Sequence, residues 1–240
     1  MLSALRTNPK AILFTDFDGT VTLQDSNDFL TDNFGMGYER RRALNRKVID
    51  GTATFRETFR EMLESVNKPF PECVDALLEN IALDPGFAAF YDWALDNNVP
   101  VVVLSSGMEP LIRALLGKLV GERANSIEIV SNQVQLEDGG KKWDIVYHDD
   151  SDFGHDKSLA IRPYAALPNR PVLLYAGDGV SDLSAAKETD LLFAKQGQDL
   201  VDWCRRENIP FTEFGSYADI HRGIQDLVEG KATLEQLREN

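Results

Sequence analysis

The pentapeptide Asp16-Phe17-Asp18-Gly19-Thr20 directly follows the apolar run Ala11-Ile12-Leu13-Phe14-Thr15, and this junction restricts the fold more than any other part of the chain. A short apolar run bounded by turn residues reads as a strand buried on both faces, as in parallel sheets covered by helices. Carboxylates at the carboxyl end of such a strand point into the crevice where open α/β sheets place their ligands. A carboxylate there can attack phosphorus, and carboxylate and backbone oxygens are the hard ligands that Mg2+ prefers. Asp and Gly also build turns, so Asp16 as a turn cap with Asp18-Gly19 opening a second turn is the structural alternative at this point.

Three later segments supply what a phosphoryl-transfer site needs. Val101-Val102-Val103-Leu104 runs into Ser105-Ser106-Gly107 ahead of a helix-like stretch at 109–119, which puts a hydroxyl and helix-start amides where a phosphate can rest. Lys157 opens a helix-like segment at 157–166 and offers a point charge for phosphate oxygens. Val172-Leu173-Leu174-Tyr175-Ala176 leads into Gly177-Asp178-Gly179-Val180-Ser181-Asp182, a second strand ending in two carboxylates. Taken singly, Lys157 reads as a solvated surface residue, Ser105-Ser106 as an N-cap, and Asp182 as the cap of the helix after it.

The ordered set, DxD after the first strand, Ser after another, then Lys, then GDxxxD, resembles the four motifs of the haloacid dehalogenase-like phosphohydrolases. The strings FTDFDGTVT, DSNDFLTD, MLESV, PFPEC, LDPGF, SSGM, FGHDKS and GDGVSDLSAAKETDLLFAK resemble the phosphoserine-phosphatase-like branch, and within it the fungal polyol phosphatases. The resemblance implies that Asp16 is the nucleophile and forms an aspartyl phosphate. It implies that Asp18 protonates the leaving alkoxide and then deprotonates the hydrolytic water. Mg2+ is expected on the Asp16 carboxylate, the Asp18 backbone carbonyl and Asp178, with Asp182 in support. Ser105 and Lys157, with Ser106 and Gly107 beside them, are expected to grip the phosphoryl oxygens.

Substrate choice is expected in the segment after the first motif. Asp25 falls where phosphoserine phosphatases place an acidic residue for the substrate amine, with Asn27 and Asp28 close by. Met62 falls where those enzymes carry an arginine for the substrate carboxylate, although a shift of register would bring Arg56 or Arg60 there. A set rich in Asp and Asn but short of a fixed cation suits hydroxyls, which favours ribitol or sorbitol phosphate over phosphoserine. Phosphoserine or another metabolite ester stays as the alternative. Phospho-aspartate receiver domains, which signal without turnover, combine similar residues, but they are shorter and lack the equivalent of Asp18.

Composition adds limits. The chain has 240 residues, 43% of them hydrophobic, enough to bury the core of one α/β domain with an insertion. A formal net charge of −14 argues against a nucleic-acid surface, so an anionic metabolite must be drawn by local charge. No run approaches the ~18–20 apolar residues of a membrane span, and the opening MLSALRTNPK lacks a signal peptide's apolar stretch, so a cytoplasmic location is expected. The cluster Arg40-Arg41-Arg42 with Arg46 and Lys47 reads as the wet face of a helix, and Cys73 and Cys204 as free thiols. His148, His155 and His221 lack zinc-ligand spacing, and 35–40, which begins like GxGxxG, reads as a turn between helices.

The expected architecture is α/β: a doubly wound, mainly parallel sheet in a core of 1–25 and 85–240, interrupted by a helical cap at 26–84. In the cap, Phe55, Phe59 and Met62 recur at helical spacing with Leu63 beside them, Pro69 and Pro71 break the pattern, and a helix near 72–82 follows. A helix at 86–97 then begins an alternation of strand and helix. Ile127–Val130 and Gln133–Leu136, on either side of Ser131-Asn132, read with 143–147 as a small antiparallel excursion, and short strands are expected near 191–194 and 211–214.

Overall fold

The computed structural model describes residues 3–238; Met1, Leu2, Glu239 and Asn240, the outer ends of the expected core, lie outside the described residues. In chain order the elements are β1 (Ala11–Thr15), α1 (Ser26–Phe34), α2 (Tyr38–Ile49), α3 (Phe55–Glu64), α4 (Phe70–Asn80), α5 (Pro85–Asp96), β2 (Val101–Met108), α6 (Glu109–Val120) and β3 (Glu128–Glu137). They continue as β4 (Lys142–Val146), α7 (Lys157–Ala165), β5 (Val172–Gly177), α8 (Leu183–Ala186), β6 (Leu191–Lys195), α9 (Asp199–Glu207), β7 (Thr212–Phe214), α10 (Tyr217–Val228) and α11 (Leu234–Arg238). No described helix is long and apolar enough to cross a membrane.

One seven-stranded, mostly parallel sheet takes the order β4-β3-β2-β1-β5-β6-β7. β1 pairs in parallel with β2 on one side (Leu13 opposite Val101) and with β5 on the other (Leu13 opposite Leu174), and β5, β6 and β7 continue in parallel. β1 is buried at all five positions, as its unbroken apolar run requires in a parallel sheet. Because the chain leaves β1 for β2 on one flank and reaches β5 on the other, the strand order switches at the carboxyl end of β1, where Asp16 stands.

The chain divides into two compact units: residues 1–21, 84–104 and 157–240, and residues 22–83 with 105–156. The first holds β1, α5, the start of β2 and everything from α7 onward. Its core is aliphatic and aromatic, with Ile12, Leu13, Phe87, Phe90, Leu173, Leu174 and Tyr217 each fully buried. The second holds α1 to α4, the end of β2, α6, β3 and β4.

α3 forms where its apolar spacing predicts: Phe59, Met62 and Leu63 are buried, and Thr54 with Glu57 makes a reciprocal capping box at its start. α4 begins at Phe70, ahead of Pro71, because proline fits the first turn, where its missing N–H has no intrahelical acceptor. Gly35 ends α1 and Gly37 starts α2, so the turn read over 35–40 is confined to 35–37, and 38–40 form the first turn of α2.

Two sequence readings are corrected. β3 is one strand through Ser131-Asn132 where two were read on either side of it, while its antiparallel pairing with β4, across the turn at Asp138–Gly140, is as expected. Asn132 is fully buried, and its amide works as a bridge instead of a turn: Nδ2 donates to the Ser106 carbonyl at 2.6 Å and Oδ1 accepts from the His148 amide at 2.8 Å. In α2, Arg40 is exposed and Arg42 partly so, but Arg41 is 5% exposed. Contact between α1 and α2 turns Arg41 inward, and two α1 carboxylates compensate its desolvation.

Candidate active site

At the carboxyl ends of β1 and β5, carboxylates converge on one buried ammonium. Lys157, the first residue of α7, is wholly buried and places Nζ 2.5 Å from Asp16 Oδ1 and 2.6 Å from Asp182 Oδ1, with Ser181 Oγ at 3.3 Å. Asp16 continues β1, its amide donating to the Ala176 carbonyl of β5 at 2.8 Å. Asp18, two residues on, is 7% exposed. One carboxylate oxygen from each of Asp16, Asp178 and Asp182 lies within 4.8 Å of the others. Like charges so close repel, and Lys157 offsets only part of that repulsion. The donors are all oxygen, which fits Mg2+ better than a softer ion.

Glycines make this convergence sterically possible. Gly19 has φ +79°, and a Cβ on it would stand 2.9 Å from Asp178 Cγ. A Cβ on Gly177 would stand 2.5 Å from Asp182 Cγ. Only residues without a side chain let both carboxylates in.

Asp182 stands at the N-cap position of α8, but its side chain makes no cap hydrogen bond there. Its Oδ2 accepts the amide N–H of Asp178 at 2.9 Å and of Gly179 at 3.0 Å, while Oδ1 accepts from Lys157 and, at 2.5 Å, from the Tyr175 hydroxyl. Behind Asp16, Thr15 Oγ1 donates to the Asp16 carbonyl at 2.8 Å and shares a 2.6 Å hydrogen bond with Tyr217 OH. Burial drives the Asp16 carboxyl above the ordinary carboxylate range, with Lys157 opposing and Asp182 adding to the rise. Burial also opposes the charged form of Lys157, yet Asp16 and Asp182 together hold its pKa above the ordinary lysine value. The cluster therefore keeps its ammonium and is short of further positive charge.

The remaining sequence candidates belong to the second unit. Ser105 and Ser106 lie near the end of β2, 1% and 8% exposed. Ser105 Oγ accepts the Gly107 amide at 3.0 Å, and the Ser105 carbonyl is bonded to His155 Nδ1 at 2.9 Å. Asp25 caps α1, its Oδ1 accepting the amides of Asn27 at 2.8 Å and Asp28 at 2.9 Å, and burial raises its pKa. The expectation that this cluster lacks a fixed cation is overturned by Arg41, whose Nη1 lies 2.5 Å from Asp28 Oδ2 and whose Nε and Nη2 grip Asp32 at 2.7 and 2.8 Å. Met62 belongs to the apolar face of α3. Arg56 and Arg60 pack on the Tyr147 ring, Arg56 donating to the Asp149 carbonyl and Arg60 to the Asp144 carboxylate.

A model of the haloacid dehalogenase-like hydrolases matches residues 13–187, which span the DxD strand, Ser105, Lys157 and both carboxylates of the GDxxxD segment. The chain belongs to the haloacid dehalogenase-like hydrolases. This hydrolase is 57% identical to Pdp3-interacting factor 1 of Schizosaccharomyces pombe over 218 residues, 90% of this chain and 95% of that one. It is 52% identical to the Saccharomyces cerevisiae protein named polyol phosphate phosphatase PYP1 over 240 aligned residues, 96% of this chain and 99% of that one. Its fold is similar to a solved structure described as a phospho-aspartyl intermediate analogue of phosphoserine phosphatase, with TM-score 0.61 and 18% identity over 85% of this chain and 92% of the other. Membership in a hydrolase family sets the receiver reading aside.

The sequence reading gave no site role to Tyr175, Thr15, Tyr217, Arg41, Asn132 or His155 of this hydrolase. For Tyr175 a signal existed: one hydroxyl in an otherwise apolar strand, two residues before Gly177. For Thr15 and Tyr217, 202 residues apart, none did.

Proposed function

We propose that this phosphatase releases inorganic phosphate from sugar alcohol phosphates, pentitol or hexitol esters such as ribitol or sorbitol phosphate. The observation that carries the chemistry is the Lys157 ammonium held between Asp16 and Asp182, with Asp178 alongside. A carboxylate of Asp16 attacks phosphorus, the bond from phosphorus to the polyol oxygen breaks, and the phosphoryl group passes to Asp16. Asp18 gives its proton to the leaving alkoxide, then takes one from the water that cleaves the aspartyl phosphate and restores the carboxylate. The Ser105 hydroxyl, the Ser106 and Gly107 amides, and Lys157 hold the phosphoryl oxygens. Asp16, Asp178 and the Asp18 backbone carbonyl, with Asp182 in support, are the residues to hold Mg2+. When bound, that ion would offset repulsion between the carboxylate nucleophile and the anionic ester.

The substrate class is supported by the identity with the yeast polyol phosphate phosphatase along almost the whole of both chains. The character of the Asp25, Asn27 and Asp28 cluster supports it too. Arg41 is already paired with Asp28 and Asp32, so the group keeps an excess of carboxylate and suits hydroxyl donors better than a substrate carboxylate. A small phosphorylated metabolite is the partner this implies. We place the reaction in the cytoplasm, where two buried, unpaired thiols stay reduced.

Phosphate release from a panel of monoesters in buffer containing Mg2+ tests both levels. Ribitol or sorbitol phosphate is expected to exceed phosphoserine in kcat/KM by at least roughly 10^2, because a site built for hydroxyls leaves buried groups unpaired with the wrong ligand. Equal or better use of phosphoserine would overturn the substrate class. Asp16→Asn is expected to abolish turnover while leaving the protein folded, and wild-type turnover in that variant would overturn the mechanism.

A further inference from the structure

We infer that Tyr175 is a positioning residue of the phosphoryl-transfer site: its hydroxyl completes the hydrogen bonding of Asp182, making that carboxylate an anchor for Lys157 and for the Asp178 backbone instead of a free cation ligand. The inference rests on Asp16, Lys157 and Asp178 being the working groups of the reaction.

An ionised carboxylate offers about four acceptor positions. At Asp182 all are taken: Oδ1 by Lys157 Nζ at 2.6 Å and Tyr175 OH at 2.5 Å, Oδ2 by the amides of Asp178 and Gly179 at 2.9 and 3.0 Å. Asp182 and Tyr175 are both fully buried, so no water competes for these bonds. Tyr175 is fixed at its other end by β5, where it stands opposite Phe14 of β1 and Leu192 of β6. Its phenol is the donor, since burial and the surrounding carboxylates keep it protonated. The hydroxyl is thus a rigid strut from the central sheet to the loop that presents Asp178.

Lys157 shows what the strut controls. Its ammonium has three protons: two are committed to Asp16 and Asp182, 2.5 and 2.6 Å from Nζ, and the third is directed to Ser181 Oγ, 3.3 Å from Nζ. The long bond is the one a phosphoryl oxygen can replace at least cost. Where that third proton points depends on Asp182 Oδ1 staying in place and sharing its charge with a second donor. Without the Tyr175 hydroxyl, Oδ1 has Lys157 alone. The ammonium is then drawn toward Asp182 and away from Asp16, and one carboxylate position falls open to a cation. Both changes misplace charge around the nucleophile and re-aim the Lys157 contact to the phosphoryl group, while the other substrate contacts are untouched.

Tyr175→Phe keeps the ring and removes the strut. With p-nitrophenyl phosphate as substrate, kcat is expected to fall roughly 10- to 10^2-fold with KM changed by less than about twofold, the pattern of a group acting on the bound complex through misplacement. In an Asp182→Asn background, the same substitution is expected to lower kcat by no more than about twofold, because its route of action has been removed. A residue that only fills the core would cost the same in both backgrounds. A second measurement needs no variant at position 175. The wild-type proton NMR spectrum should hold one slowly exchanging, strongly deshielded phenolic proton that Asp182→Asn removes. An unchanged kcat in Tyr175→Phe, equal losses in the two backgrounds, a loss confined to KM, or absence of that proton would each overturn the inference. Failure of the underlying assignment would show separately, as turnover surviving in Asp16→Asn.

Discussion

Gly19→Ala probes the meeting of the two acidic motifs, because one methyl group meets two obstacles whose sizes the structure gives. The first is conformational. Gly19 has φ +79°, where an L side chain costs about 1–2 kcal/mol. For a chain of this size that corresponds to a fall in Tm of roughly 2–8 °C. The second is steric. The added carbon would lie 2.9 Å from Asp178 Cγ and 3.3 Å from Asp178 Oδ1. Carbon contacts settle near 3.5–4.0 Å, so the carboxylate must retreat by roughly 0.5–1 Å. A misplacement of about 1 Å at a reacting centre costs on the order of 10^2 in rate. Phosphate release should therefore drop by roughly 10- to 10^2-fold, well beyond what a few degrees of lost Tm explains for protein assayed far below its melting point. The Mg2+ concentration for half-maximal rate should rise with it. Gly117→Ala is the control: it lies within α6 with no heavy atom within 4 Å of the new Cβ, so the same substitution should stabilise by about 0.5–1 kcal/mol and leave kcat alone. If Gly19→Ala kept kcat and the Mg2+ requirement of the parent, the steric reasoning would be wrong, whatever happened to Tm.

The Arg170–Asp190 pair sets a pH dependence away from the active site. Burial works to raise the Asp190 pKa, but the Arg170 hydrogen bonds at 2.5 and 2.7 Å and the Leu173 amide at 2.8 Å hold it below the ordinary value. A carboxyl with a depressed folded pKa adds stability above its unfolded pKa and loses it as pH falls through the folded one. Asp190→Asn should thus cost about 1–2 kcal/mol near pH 7, reduced from a fully buried pair because both partners keep some solvent, and the gap should begin to narrow below about pH 4 and close once pH is below the folded pKa. Urea titrations across pH check this; a gap that does not narrow as pH is lowered from 7 to the acid limit of the folded state would refute it. For the thiols, burial pushes Cys73 and Cys204 up to about 11, with Glu72 adding to the rise at Cys73. Both are fully buried, so Ellman's reagent at pH 8 should modify neither in native protein and both in denaturant. Fast reaction of either thiol in the native state would contradict their burial.

Local sequence carried the elements whose causes are local. The β1 run, the glycines and carboxylates that follow it, the capping box of α3 and the helix starting at Lys157 each depend on residues within a few positions, so period and turn chemistry reveal them. Ser131-Asn132 misled because a buried Asn and a turn Asn are the same letter. What separates them is a partner at Ser106, 26 residues earlier in the chain. Arg41 misled for a similar reason: a run of three arginines looks like a solvated face until contact between α1 and α2 gives the middle one two carboxylates.

The sequence by itself determined the order of chemical groups along the chain: nucleophile and second carboxylate, hydroxyl, lysine, then two further carboxylates. The tertiary structure decided how those groups share one charge. Lys157 is 141 residues from Asp16 and 25 from Asp182, and only the folding of α7 beside the ends of β1 and β5 brings its ammonium between them. That Asp182 is saturated follows from hydrogen bonds at 2.5–3.0 Å. A bond that short has a partner chosen by packing in three dimensions, and no spacing in the sequence encodes it.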